Sequence, residues 1–165
     1  MSTGRVLMAN QAGAYVIKLT GDVRMTLCTT LDSCLYRMVD DPVFQSVTVD
    51  VTEAEGIDST SLGMLAKVSR LATPAMGRVP TLVSTRADIT RLIETMGFRD
   101  RVYAIVSQPQ LESKSPLDEQ PALPVNEGDA RERVLEAHKI LMSLNDHNRQ
   151  TFRELVECIE NQAQH

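Results

Sequence analysis

Three hydroxyls stand in a row within Gly56-Ile57-Asp58-Ser59-Thr60-Ser61-Leu62-Gly63, where a strand-like run gives way to a helix-like one. A hydroxyl at such a junction can accept a phosphoryl group. Asp58 is a good N-cap, because its carboxylate can take the free amides of a first helical turn. Ser59 then falls at the first helical position, near the positive end of the helix dipole. A phosphate on Ser59 would carry about −1.5 to −2 charges near neutral pH, and amides at a helix N-terminus favour an anion. The fold should therefore tolerate the modification, while the same charge expels an acidic or apolar partner surface. Read locally, Asp58-Ser59-Thr60 serves equally well as a plain capping cluster, and the surrounding elements must decide.

Upstream, Ser46-Val47-Thr48-Val49-Asp50-Val51-Thr52 alternates valines with polar β-formers, the period-two signature of a strand. Downstream, Leu62, Leu65, Ala66, Ser69 and Ala72 form one helical stripe, and Met64, Val68, Leu71 and Ala75 a second. A helix apolar on two sides can pack one side on a sheet and offer the other to a partner.

The first hundred or so residues alternate strand and helix. Residues 5–9 and 15–19 flank Ala12-Gly13 and read as a hairpin. Leu27, Leu31, Cys34, Leu35 and Met38 mark a helix ended by Asp40-Asp41-Pro42. Pro80-Thr81-Leu82-Val83 is a short strand, Thr85 and Asp88 resemble a capping box, and Gly97 supplies a left-handed terminus to the helix of Ile89, Leu92, Ile93 and Met96. Residues 102–106 close the series as a strand. Such alternation implies crossovers, and hence an α/β sheet with a substantial parallel component. In open α/β sheets, functional sites gather where strands end and helices begin, and Asp58-Ser59 is such a place.

Residues 108–125 carry Pro109, Pro116, Pro121 and Pro124 among polar side chains and read as a linker without fixed structure. This divides the chain into a domain at 1–107, the linker at 108–125 and a helical segment at 126–165. In the last segment Val134, His138, Leu141, Asn145, Asn148, Phe152, Leu155 and Ile159 form a heptad seam with a polar middle. A continuous helix could self-associate along it; alternatively Asn145 could end one helix and Asp146 cap a second, a helical hairpin. The polar run 145–150 favours the break.

The 165 residues are 42% hydrophobic and 24% charged, an ordinary globular composition. The formal charge of −5, with 4% aromatics and no Trp, argues against nucleic-acid binding, since neither a basic patch nor a stacking platform is supplied. No segment reaches the apolar length of a membrane span, and the expected location is cytoplasmic. Cys28, Cys34 and Cys158 lack metal-site or redox spacing; the first two read as small buried hydrophobes. His138, His147 and His165 lack a metal motif and read as structural or solvated. No metal or other cofactor is expected, and no nucleophile elbow, Walker loop or dinucleotide fingerprint points to an enzyme.

At Asp58-Ser59-Thr60-Ser61-Leu62-Gly63 the chain resembles the Asp-Ser-Thr/Ser-Gly-Leu-Gly motif of STAS-domain anti-sigma factor antagonists. The resemblance extends over about residues 5–107, through Gly21-Asp22 after the second strand and the Ile89–Phe98 helix. It implies a mixed sheet with helices packed on one face. It also implies that Ser59 is phosphorylated by a serine kinase and freed by a phosphatase, with Thr60 as fallback. Asp22, Arg24, Asp58, Thr60, Ser61, Leu62, Gly63 and Met64 would then form the phosphosite environment and partner surface.

Two residues depart from the pattern. Ser61 replaces the usual motif glycine, and Arg24 stands where many members are acidic, suggesting that Arg24 could pair with a phosphate on Ser59. Within the family the chain looks most like proteobacterial antagonists with a C-terminal helical extension. That resemblance implies an anti-sigma factor or switch kinase as partner, and a response-regulator-type kinase/phosphatase acting on the chain to govern motility and surface attachment. The competing expectation is a non-phosphorylated STAS scaffold subunit of a transport or signalling complex.

Overall fold

A computed structural model of the chain describes residues 2–108 and 115–163. Strands β1 (Arg5–Gln11) and β2 (Ala14–Val23) pair antiparallel across a two-residue turn. Ala12 and Gly13 have φ of 52° and 94°, and a turn with two positive φ values matches the twist of the strands it joins. A 3-10 turn at Met25–Leu27 leads into α1 (Cys28–Val39). Strand β3 (Ser46–Ile57) follows, then α2 (Ser59–Met76), β4 (Thr81–Val83), α3 (Ala87–Thr95) and β5 (Ala104–Val106).

The sheet order is β5-β4-β3-β2-β1-β6, where β6 is Asp118–Glu119. Strands β2 to β5 run parallel, and β1 is antiparallel to both its neighbours. This is a mixed α/β sheet with β3 inside it. Val47, Val49 and Val51 are at most 1% exposed while Thr48, Asp50 and Thr52 between them are half-buried. Strand β2 alternates in the same way, so one face of the sheet is covered and the other is not. Each fully buried valine or leucine on that face contributes roughly 1.5–3 kcal/mol. Ile17, Leu19, Leu31, Leu35, Leu62, Leu65 and Ile93 are among the side chains of this core.

Two sequence expectations, and the capping residue in a third, change in the structure. Thr85 and Asp88 do not cap α3: its N-cap is Arg86, without a side-chain hydrogen bond, and Asp88 lies in the first turn. Residues 115–125, read as a linker without fixed structure, instead run along the domain; Gln120 donates to the Val6 carbonyl, and Leu123 to Thr30 Oγ1 at 2.9 Å. Pro109 lies outside the described residues. The tail is two helices, α4 (Glu127–Met142) and α5 (Asp146–Ala163). The break is made by Asn145 rather than Asp146, since Asn145 Oδ1 accepts the Asn148 amide at 2.8 Å.

The hairpin does not stand apart. Ala137, Ile140, Leu141 and Phe152 join the apolar cluster built on α2 and the sheet. Of the heptad seam, His138, Leu141, Asn148 and Phe152 are buried inside the chain, whereas Leu155 is 41% exposed.

Candidate functional site

Strand β3 ends at Ile57 and delivers Asp58 in an extended conformation, from which α2 starts at once. The two Asp58 carboxylate oxygens do different work. Oδ1 accepts the Ser61 amide at 2.8 Å and caps α2; Oδ2 accepts the Met25 amide at 2.7 Å. The Asp58 amide donates to the Val23 carbonyl at 3.0 Å. One aspartate therefore ties the end of β2, the 3-10 turn and the start of α2 into a single corner.

The three hydroxyls of the motif fare differently there. Ser59, the first residue of α2, is half-buried, whereas Thr60 and Ser61 are 5% and 3% exposed. Leu62, Gly63 and Met64, expected from the motif to belong to a partner surface, are buried, and Leu62 and Met64 lie in the apolar core. Arg24 is exposed, and its Nε donates to Asp22 Oδ2. That hydrogen bond and charge, with a smaller contribution from Asp58, hold the guanidinium above its ordinary range. Arg24 therefore stands one residue from the amide that contacts Asp58, already paired to Asp22.

The partner of Ser59 comes from the far end of the chain. Its Oγ lies 2.8 Å from His138 Nε2, across 79 positions of sequence. His138 Nδ1 lies 2.7 Å from the Val134 carbonyl, which accepts only, so in the neutral ring Nδ1 carries the proton and Nε2 receives the Ser59 O–H. The imidazole is 1% exposed and sits edge-on to Phe152, with centroids 4.9 Å apart. A carbonyl, not a carboxylate, orients the ring.

Further along α2, Lys67 is 5% exposed; its Nζ reaches Asp32 Oδ1 at 2.7 Å and Glu136 Oε1 at 2.9 Å. Burial alone would lower this ammonium, but the hydrogen bonds it donates to Asp32, Glu136 and Tyr36 outweigh it and raise it above the usual lysine value. No group of three or more His, Cys, Asp or Glu side chains among the described residues could hold a metal ion. Cys28 and Cys34 are buried, and burial pushes both thiols up. No described helix is long and apolar enough to cross a membrane.

Residues 5–112, which contain every one of these α2 residues and the corner at Asp58, match the model of the STAS domain. The chain belongs to the STAS domain family. No curated protein matches it. The STAS match ends before α4, so His138, Ala137 and Glu136 lie outside the span that defines the family.

Two residues of this site escape a reading of the sequence. His138 falls in a heptad seam and reads as packing, because nothing local connects it to Ser59. Lys67 leaves a signal, a lysine amid the apolar residues of α2, but its carboxylate partners lie on two other helices.

Proposed function

We propose that this STAS-domain chain is a phosphorylation-switched anti-sigma factor antagonist, acting in the cytoplasm of a bacterium. The observation that carries the reading is Ser59: a hydroxyl on the half-buried first residue of a helix, beside an aspartate cap, at the end of an interior strand. Unphosphorylated, the chain binds an anti-sigma factor or switch kinase through the surface around Ser59 and so frees sigma-dependent transcription. A serine kinase transfers the γ-phosphoryl group of ATP to Ser59 Oγ. The new O–P bond replaces the phosphoanhydride bond to ADP, and the hydroxyl proton passes to a base on the kinase. A phosphatase of the response-regulator type hydrolyses this O–P bond, water restoring the hydroxyl and inorganic phosphate leaving, and the output is motility or surface attachment. The chain is the substrate of these enzymes and is not itself an enzyme.

The new charge would stand on the residue next to Asp58, whose carboxylate caps the same helix, so it changes the local field sharply. Mass spectrometry of the protein recovered from its own cells tests the reading, with phosphate expected on Ser59. Ser59→Ala should retain the partner and Ser59→Asp should lose it; equal capture of the partner by both would defeat the mechanism.

The cover that His138 places over Ser59 favours a second reading, a STAS scaffold subunit that is never modified. Absence of phosphate on Ser59 and Thr60 in every growth condition sampled would support that reading in place of the first.

A further inference from the structure

Ser59, Gly63, Lys67 and Arg70 are spaced by four, four and three residues, which places them on one stripe of α2. Each of them meets the C-terminal hairpin. His138 Nε2 is 2.8 Å from Ser59 Oγ, Glu136 Oε1 is 2.9 Å from Lys67 Nζ, and Ser143 Oγ accepts from Arg70 Nη2 at 2.8 Å. At Gly63 the helices touch backbone to backbone: an added Cβ would lie 2.5 Å from the Ala137 Cβ and closer still to its carbonyl oxygen. Arg133 adds a contact of 3.0 Å to Asp32 on α1.

Along this stripe the contacts are made by a glycine, an alanine, hydroxyls, an imidazole and ion pairs, while Ile140 and Leu141 of α4 join the apolar core beside it. The polar groups of the stripe return to water at lower cost than those two side chains, and mixed contacts of this kind are found where segments of one chain separate and rejoin. The buried residues of α4 are confined to Ala137, His138, Ile140 and Leu141, so its N-terminal half contributes no fully buried side chain. Alongside lies an open groove of about 620 Å³, lined by Tyr36, Leu71, Leu135 and Lys139 among others.

Resting on the partner-switch reading, we propose that α4 is a built-in competitor for the Ser59–Arg70 face of α2. It occupies the surface on which a partner protein's helix docks, and the partner binds by displacing it. The occupant in place describes the helix that would replace it: amphipathic, with a small residue opposite Gly63 and a carboxylate within reach of Lys67. Access to Ser59 follows the same opening. In the closed form its hydroxyl proton is engaged by His138, and a phosphate on Oγ would have to fit where a ring 1% exposed stands 2.8 Å away. A kinase therefore acts on the open form, and the modified chain cannot reclose in this geometry.

The test uses the full chain and a synthetic peptide of wild-type residues 126–163. In the wild type, native-state hydrogen exchange should show the amides of α4 and α5 opening together, at least tenfold faster than those of β3. Ala137→Arg leaves the STAS face untouched but puts a long side chain where there is no room. It should speed α4 exchange a further tenfold with β2 and β3 protection unchanged, and the opened chain should capture the labelled peptide while the wild type does not. Equal protection of α4 and β3 in the wild type would overturn the proposal, because α4 would then be constitutive core. So would unchanged α4 exchange in the variant, loss of sheet protection together with α4, or an opened chain that ignores the peptide. None of these readouts involves phosphate. If Ser59 is never modified in cells, the switch falls and the competitor stands; if α4 is as protected as β3, the competitor falls and the switch stands.

Discussion

Gly63 and Ala137 touch with no side chain between them, and Ala137 is 0% exposed. In an open helix Gly→Ala gains about 1 kcal/mol. Here the methyl group would run into backbone, which has no rotamer to move, and such overpacking costs typically about 1–3 kcal/mol. Gly63→Ala should therefore lower stability in denaturant unfolding despite its better helix propensity, with faster exchange in α4. A rise in the unfolding midpoint would mean that α4 does not seat on this residue.

Little of this seam is legible in the sequence. Apolar periodicity correctly marks β2, β3 and the first apolar stripe of α2, because burial in one sheet is a local pattern. It is blind to Ser59, Gly63, Lys67 and Arg70, whose common face is small and polar and whose partners lie about seventy to eighty positions away. Of the second stripe of α2, read as able to face a partner, Met64 and Val68 are buried inside the chain, whereas Leu71 and Ala75 are exposed. Strand β6 escapes for a related reason. Asp118 and Glu119 have little β propensity, and they pair because the free edge of β1 offers unpaired backbone groups. Motif resemblance does point to the corner at Asp58, since an N-cap and its helix are close in sequence. The same motif cannot tell that Leu62 and Met64 face inward.

Asn148 fastens the turn of the hairpin. It is 0% exposed, and its Nδ2 donates to the Met96 and Leu141 carbonyls, each at 2.9 Å, while its Oδ1 has no partner among the described residues. Asn148→Ala would take the side-chain donor from the Met96 carbonyl and leave the Leu141 carbonyl with only the backbone amide of Leu144, at about 1–3 kcal/mol. The loss should be local. Exchange should rise in α4, α5 and the end of α3 with β3 unaffected, and loss of protection throughout the sheet would show that the hairpin and the STAS domain unfold as one.

Lys67 gives the closed form a dependence on pH with a definite sign. The groups facing it are Asp32 and Tyr36 on α1 and Glu136 and Arg133 on α4, with the Lys67 Nζ 4.8 Å from the Tyr36 ring centroid. Its folded value is raised, so its contribution is fully present below the ordinary lysine value of 10.5 and is lost as pH rises through the folded one. Tyr15 acts in the same direction: burial and its hydrogen bond to Asp41 push its hydroxyl up to about 12 from 10.0, so stability also declines between those values on its account. Lys67→Met separates the two. The variant should be less stable than the wild type by about 1–3 kcal/mol at pH 7, since the carboxylates left behind are partly exposed and removal of one partner from a fully buried pair costs more. The gap should narrow above about pH 10.5, while Tyr15→Phe removes only the tyrosine component. A gap that is constant from pH 7 to 11.5 would mean that Lys67 stabilises by packing alone.

Arg24 decides how the corner would handle a phosphate. Beside Ser59 stands the carboxylate of Asp58, whose charge acts on Arg24, the cation that already pairs with Asp22. A dianion on Ser59 raises the negative charge beside this arginine, and a guanidinium binds phosphate in a fork more strongly than it holds one carboxylate at an exposed pair. Transfer of Arg24 from Asp22 to the phosphate is therefore the expected rearrangement. Arg24→Ala should speed removal of phosphate from Ser59 several-fold, by leaving the phosphate unshielded, and Arg24→Lys should restore only part of the difference because an ammonium cannot make the bidentate contact. Asp22→Asn supplies the counter-test: with the competing carboxylate removed, the phosphorylated form should persist longer than in the wild type. Identical dephosphorylation rates in all three variants would place Arg24 outside the phosphosite, as a solvated partner of Asp22.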